Sequence, residues 1–311
     1  MSRVVAAWDR FWFAPGPTST LAVFRICVGG LALVSAILLW PDVEPFYGLT
    51  ALGDLGARVL VLLLALGAAC LIVGFRSRIA ALAVFVCLGG LVGSNPFIFN
   101  SGDTLLRLLV LFLVLAPAGA ALSVDCRSKE GSAWRFPLRP AWPLRLVQIQ
   151  VAVMYLAAVV HKLGGMTWRD GTAASYPTRI PDMVRFPVPH FLVDSALAAH
   201  VLTWGTLAIE ASIPLLVWSR RTRPWVLGLG VTLHLGIDYS LRAGLFSWVV
   251  LAGYVAFVPP ETMTRVLERL RRISTALAPA RRDRVVSRVP TTATDGDSLE
   301  AGSVSRAPSG A

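Results

Sequence analysis

The sequence predicts an all-α polytopic membrane protein, a bundle of about eight transmembrane helices with both termini cytoplasmic. Three observations lead there. The mean hydropathy is +0.66 and only 15% of the 311 residues are charged, where a soluble domain of this size carries about a quarter. Apolar runs of about 20 residues recur, each long enough to cross roughly 30 Å of hydrocarbon. The basic residues fall unevenly between alternate connections. A backbone in lipid must satisfy its own hydrogen bonds, so the spans are helices, and the strict apolar–polar alternation of a membrane barrel is absent.

Residues 1–18 are read as a cytoplasmic N-terminal segment. The first apolar run follows Trp8-Asp9-Arg10 and is long enough to remain as a span. The eight expected spans are Ser19 to Trp40, Ala57 to Gly74, Ile79 to Gly93, Thr104 to Leu122, Leu144 to Leu163, Ala196 to Trp218, Pro224 to Leu241 and Gly244 to Val258. Together, residues 19–258 form the transmembrane domain. The longest outside connection, 164–195, holds Trp168, Tyr176 and several Pro and Gly residues, and is expected to fold as an external cap. Residues 259–278 carry Arg265, Arg269, Arg271 and Arg272 among leucines and valines, the pattern of a basic amphipathic helix on an anionic inner surface. Residues 279–311 are rich in Ser, Thr, Asp, Arg and Gly and read as a disordered cytoplasmic tail.

With the N-terminus inside, 21 of the 29 Lys and Arg residues fall on inside segments. The outside segments hold Lys162, Arg169, Arg179, Arg185 and Arg242. This asymmetry fits the positive-inside rule and supports the span count and orientation, and a multi-pass protein of the plasma membrane is expected. The net charge of +11 therefore reflects topology rather than nucleic-acid binding. Expected partners are membrane lipid and a lipophilic small molecule, with any protein partner left open. Cys27, Cys70 and Cys87 lie in apolar runs and Cys126 in a basic loop, so no disulfide framework is expected.

Charges inside spans cost several kcal/mol each and need a reason. His161 and Lys162 end span five, His200 opens span six, His234 and Asp238 lie one turn apart near the outer end of span seven, and Asp103 and Arg107 open span four. Arg58 opens span two. At about 1.5 Å per residue these groups gather in the outer half. Asp103–Arg107 and His234–Asp238 have i, i+4 spacing, so each is expected to pair. Tyr155 lies seven residues before Lys162 on its stripe and can line the same cavity. Arg25 and Glu210 fall on the inner half at similar heights, and an ion pair between them is expected. A Lys at the end of a span is commonly a headgroup anchor, and a lone His in a span is usually a satisfied helix contact. A metal set of His161, His200, His234 and Asp238 has no compact ligand spacing behind it, and no metal is expected.

Four stretches carry a resemblance, in order along the chain: "FRICVGG", "SNPFIFNSGDTLLRLLVLFLVLAPAGAALSVD", "MYLAAVVHKLGGMTWRDGTAASY" and "TLHLGIDYSLRAGLFSWVVLAGYVAFVPPE". They resemble the HTTM (horizontally transferred transmembrane) domain family, related to the vitamin K-dependent gamma-carboxylases, over about residues 8 to 261. The resemblance implies a membrane enzyme that uses a lysine base on reduced vitamin K or a related quinol, whose oxygenation yields a base strong enough to open carboxylation of a substrate glutamate. Lys162 stands at the position of that lysine, the second of a dibasic pair, with His161 in place of the first basic residue. His234 stands at the family's seventh-span His. Gly102 or Asp103 replaces an important His near the start of span four, and the large lumenal C-terminal portion has no counterpart here. The catalytic residues are accordingly expected to be Lys162, His234 and Asp238, with Tyr155, Arg107, Asp103, His200 and Trp168 binding the lipophilic cofactor. A lysine in water is protonated at neutral pH, with an ordinary value of about 10.4, and becomes a base only when desolvated. Two other classes compete: a non-catalytic membrane carrier or partner protein, and a quinone-linked electron-transfer subunit.

Overall fold

The computed structural model describes residues 2–98 and 100–277. The expected tail at 279–311 lies outside them. The chain divides after Glu268 into two compact units, and the first holds the site.

The N-terminal helix α1 (Arg3–Phe13) begins at Ser2, whose hydroxyl accepts from the Val5 amide at 3.3 Å. It buries none of its residues. Strand β1 (Pro15–Pro17) leads into α2 (Ser19–Leu39), the first long apolar helix. A short helix, α3 (Val43–Tyr47), precedes α4 (Gly53–Val73). Helix α4 ends at Gly74, whose φ of 72° is left-handed and suits glycine. A Cβ there would also lie 2.8 Å from the Arg25 guanidinium carbon. Helix α5 (Ser77–Ser94) follows, then α6 (Ser101–Leu115), capped by the Asn100 carboxamide. The fourth expected span reaches Leu122, but α6 stops at Leu115. Ala116 takes an extended conformation before Pro117, as a residue preceding proline does. Helix α7 (Val124–Glu130) and strand β2 (Leu138–Pro140) lie between α6 and α8 (Trp142–Leu163). Strands β1 and β2 pair antiparallel, Gly16 opposite Arg139, and so tie the entrance of α2 to that of α8.

The connection 164–195 is folded. It contains α9 (Met166–Arg169), two single-turn 3₁₀ segments (Ala173–Ser175 and Pro177–Arg179) and α10 (His190–Val193). Helix α11 (Ala196–Leu216) starts on the Ser195 cap, and α12 (Arg223–Ser240) carries Pro224 in its first turn. Helix α13 (Phe246–Tyr254) continues through a 3₁₀ turn to Phe257, and α14 (Pro260–Leu277) closes the described chain.

Helices α2, α4, α5 and α6 pack in succession, and α8 and α12 flank α11. The short α13 joins the two groups, touching α2, α6, α8 and α12. It is the most enclosed of the apolar helices, burying Ser247, Val249, Val250, Ala252, Gly253 and Tyr254. Glycines admit it: a Cβ on Gly102 would meet the Phe246 backbone at 2.8 Å, and one on Gly253 would meet Val151 at 2.9 Å. Five helices are long and apolar enough to cross a membrane, within Ser19–Tyr47, Gly53–Val73, Ser77–Ser94, Trp142–Leu163 and Ala196–Leu216. The outward sides of these helices carry large apolar residues such as Leu62, Leu66, Val160, Leu197 and Leu215, as a lipid-facing surface does.

Candidate functional site

Helix α8 contributes the first two groups. Lys162 stands in its last turn and Tyr155 two turns earlier on the same stripe. Past the helix the chain turns at Gly164-Gly165 and folds back through α9, which sets the Trp168 ring beneath the lysine, 4.9 Å from Nζ to centroid. Glu210 comes from α11 and is buried. The Lys162 ammonium donates to both of its carboxylate oxygens. The lysine side chain keeps 22% of its exposure and the glutamate 7%, so the pair is sheltered but reachable from the lysine side.

Tyr155 is 1% exposed and sits in a hydrogen-bonded cluster. Its hydroxyl meets His234 Nε2 at 2.6 Å and also the Tyr254 hydroxyl. His234 comes from α12 and Tyr254 from α13. Gly230, one turn before His234, makes the approach of Tyr254 feasible, since a Cβ there would lie 2.9 Å from the Tyr254 Cζ carbon. Glu210 acts electrostatically on both tyrosines, and Lys162 on His234, which joins the ion pair and the cluster into one polar region. His234 Nδ1 is buried with no hydrogen-bond partner among the described residues. A buried orphan atom of this kind is costly and rare.

The other expected residues lie elsewhere. Asp238 pairs with Arg185 of the 164–195 connection at 2.9 Å rather than with His234, and its Oδ1 is buried without a hydrogen-bond partner among the described residues. The cap segment is held there by backbone bonds from Arg185 to Ser240 and from Arg242 to Met183. The expected orientation of His234 by Asp238 is therefore not made. His200 binds the Gly171 carbonyl at 3.1 Å and stacks on Trp204, above the ion pair on α11. Asp103 lines a small cavity of about 80 Å³ with Ser35 and Tyr47, inside the α2–α6 group. Arg107 is not paired with it, contrary to the i, i+4 expectation, and lies beside Gly89 of α5. Arg58 pairs with Asp54 at 3.0 Å. His161 is exposed, on another face of the helix from Lys162. Among the described residues no three His, Cys, Asp or Glu side chains come together as a metal set.

The Arg25–Glu210 pair is corrected. Arg25 is fully buried and donates to the Leu122 carbonyl at 2.6 Å, at the other end of the molecule's polar contacts from Lys162. The error lies in assuming that neighbouring helices start level. Residues 171–175 run alongside the first half of α11, with Ala174 bonded to Thr203, so α8 ends opposite the middle of α11. Glu210 thus meets the end of α8. Its need for a buried partner was legible, but the partner was not. Tyr254 carried no such signal, being one aromatic in an apolar run.

Apolar helices with lipid-facing flanks around a buried polar centre define a helical membrane protein. The HTTM domain family model matches residues 13–261, most of the chain, and the protein belongs to the HTTM family. No curated protein and no solved structure matches it.

Proposed function

We propose that this protein is a membrane enzyme in which Lys162 acts as a base on a lipophilic, quinol-like molecule. The observation that carries the reading is the sheltered Lys162–Glu210 pair beside Trp168. Insertion of two ionisable groups into apolar helices is expensive, and an anchor lysine needs no carboxylate from another helix. We further read the chain as eight spans with cytoplasmic termini in the plasma membrane, α6, α12 and the α13 turn completing the five long helices.

The donor set fits a hydroquinone ring. Trp168 offers an aromatic face, Lys162 a reachable amine, and His234 Nδ1 a polar atom that lacks a partner. When bound, such a ring supplies an acidic hydroxyl and a redox-active carbon framework. Lys162 begins as an ammonium bonded to Glu210. Passing one proton from Nζ to the Glu210 carboxylate leaves the amine free. Nζ then takes the ring hydroxyl's proton, and the ammonium it becomes offsets the charge left on the ring oxygen while Glu210 holds the first proton. Tyr155, His234 and Tyr254 hold the helices around the pair and offer hydroxyl and imidazole contacts to the ring. The relatives' catalytic lysine supports Lys162, and Trp168 stands in the same matching segment.

The test is quinol turnover by the full chain in proteoliposomes, followed by chromatography of a naphthoquinol probe, with and without bicarbonate. Lys162→Arg keeps charge and length but loses the titratable amine. Turnover should fall by at least about 100-fold, the usual scale of one acid–base group, with Tm nearly kept. Full activity in a stable Lys162→Arg protein overturns the lysine base. Absence of any turnover in wild type, together with probe movement across sealed vesicles, points instead to a carrier.

A further inference from the structure

A second polar cavity lies well apart from Lys162, between the first turn of α5, the loop after α6, α7 and β2. Its volume is about 310 Å³, and Ser77, Arg78, Gly119, Asp125, Lys129 and Arg139 lie on its wall. The acidic group on its floor is already committed. Asp125 accepts from the Arg76 amide at 2.8 Å with one oxygen, and from the Ser77 amide and hydroxyl, both at 2.9 Å, with the other. Its charge also interacts with the buried Arg25. Gly119 allows this clip: a Cβ there would lie 2.6 Å from Asp125 Oδ2 and 2.7 Å from Ser77 Oγ. The second acid, Glu130, turns toward Arg135, 3.7 Å away.

The cations are less committed, Lys129 acting on Asp125 through charge without a hydrogen bond. Arg78 spends Nε on the Ala116 carbonyl at 3.2 Å. Its terminal nitrogens, the Lys129 ammonium and the Arg139 guanidinium make no hydrogen bond or ion pair among the described residues. Three cationic side chains with open donors therefore line a cavity in which the Asp125 carboxylate is already bonded and Glu130 leans to Arg135. Forked guanidinium donors match the oxygens of a phosphate, and the ammonium adds a point charge.

We propose that this cavity binds a phosphate ester, either the headgroup of an anionic phospholipid or a small phosphorylated molecule. The volume exceeds what a lone carboxylate fills, and the basic wall matches a doubly charged oxyanion.

The experiment uses the full chain in uncharged detergent and in nanodiscs, reading Tm against probe concentration, because a ligand of the folded state raises Tm with its concentration. The probes are inorganic phosphate, against chloride at equal ionic strength, and phosphatidylglycerol nanodiscs, against phosphatidylcholine. Saturable stabilisation by phosphate supports the site with a free phosphate ester as ligand. Stabilisation by phosphatidylglycerol alone supports it with a lipid headgroup as ligand. Lys129→Ala and Arg139→Ala remove exposed side chains that make no hydrogen bond, and, read against each variant's own Tm without probe because Lys129 also acts on Asp125, each should weaken the response about tenfold, the loss of one charge-assisted contact. The site is overturned if neither probe exceeds its control, or if the double variant responds as wild type does.

Discussion

The two groups of helices bury themselves by different means. Helices α2, α4, α5 and α6 turn broad apolar stripes inward: α2 alone buries ten residues, among them Phe24, Val28 and Ala32, and its one buried charge, Arg25, bonds the Leu122 backbone rather than a side chain of another helix. Helices α11 and α12 bury four and three, and one of each set is charged or titratable, Glu210 and His234. The first group is a close-packed core. The second is held at its centre by polar contacts between helices and shows most of its apolar surface outward, through Leu197, Leu215, Trp225 and Leu229. Lipid tails are as apolar as leucine, so packing and polar bonds decide association inside a membrane. The proposed lysine base lies in the loosely packed group.

That contrast can be broken first in the core. Leu109→Ala, at a fully buried site in α6, should cost about 2–5 kcal/mol by the cavity it leaves. Leu229→Ala on the exposed side of α12 should cost little, and equal losses for the two in denaturant unfolding would erase the distinction. In the second group the largest effect should come from the ion pair. Glu210→Ala strands a sheltered ammonium and should cost about 3 kcal/mol, whereas Lys162→Met combined with Glu210→Leu should recover most of that loss. Tm of the single and double variants decides this, and a strictly additive double variant would count against the pairing.

A smaller effect sharpens the account of the tyrosine cluster. Gly230→Ala should cost about 1–3 kcal/mol by overpacking against Tyr254. Gly228→Ala, which meets nothing within 4 Å, should be neutral or slightly stabilising because alanine is the better helix former.

The smallest effect is pH-dependent and lies outside the spans. Burial alone pushes the Asp125 carboxyl up, but the Ser77 and Arg76 amides, the Ser77 hydroxyl and Lys129 outweigh it and hold the group below the usual carboxylate range. A depressed folded value stabilises the ionised state. This contribution is complete above the unfolded value of about 3.9 and is lost as pH falls through the lower folded value. Asp125→Asn should lower Tm at pH 7 by the equivalent of about 1 kcal/mol, the scale of a helix cap. The gap from wild type should narrow on acidification below pH 4. A gap that stays constant with pH would assign the loss to shape rather than charge.

The sequence by itself determined the helical membrane class, the family, and the regions that would be helical, because a 20-residue apolar run in lipid has one way to satisfy its backbone. It also showed that Lys162, Glu210 and His234 needed partners, since buried charge and buried imidazole are costly wherever they occur. Only the tertiary structure decided which partners they have. The fold-back of residues 164–175 along α11 set the offset between α8 and α11, and that offset gave Glu210 to Lys162 instead of Arg25. The Arg185 contact took Asp238 from His234, and the glycine at 230 brought Tyr254 to Tyr155. Helix ends can be read from local residues, but relative heights follow from the path of the connections, and a polar contact inside a bundle depends on that height to within a single turn.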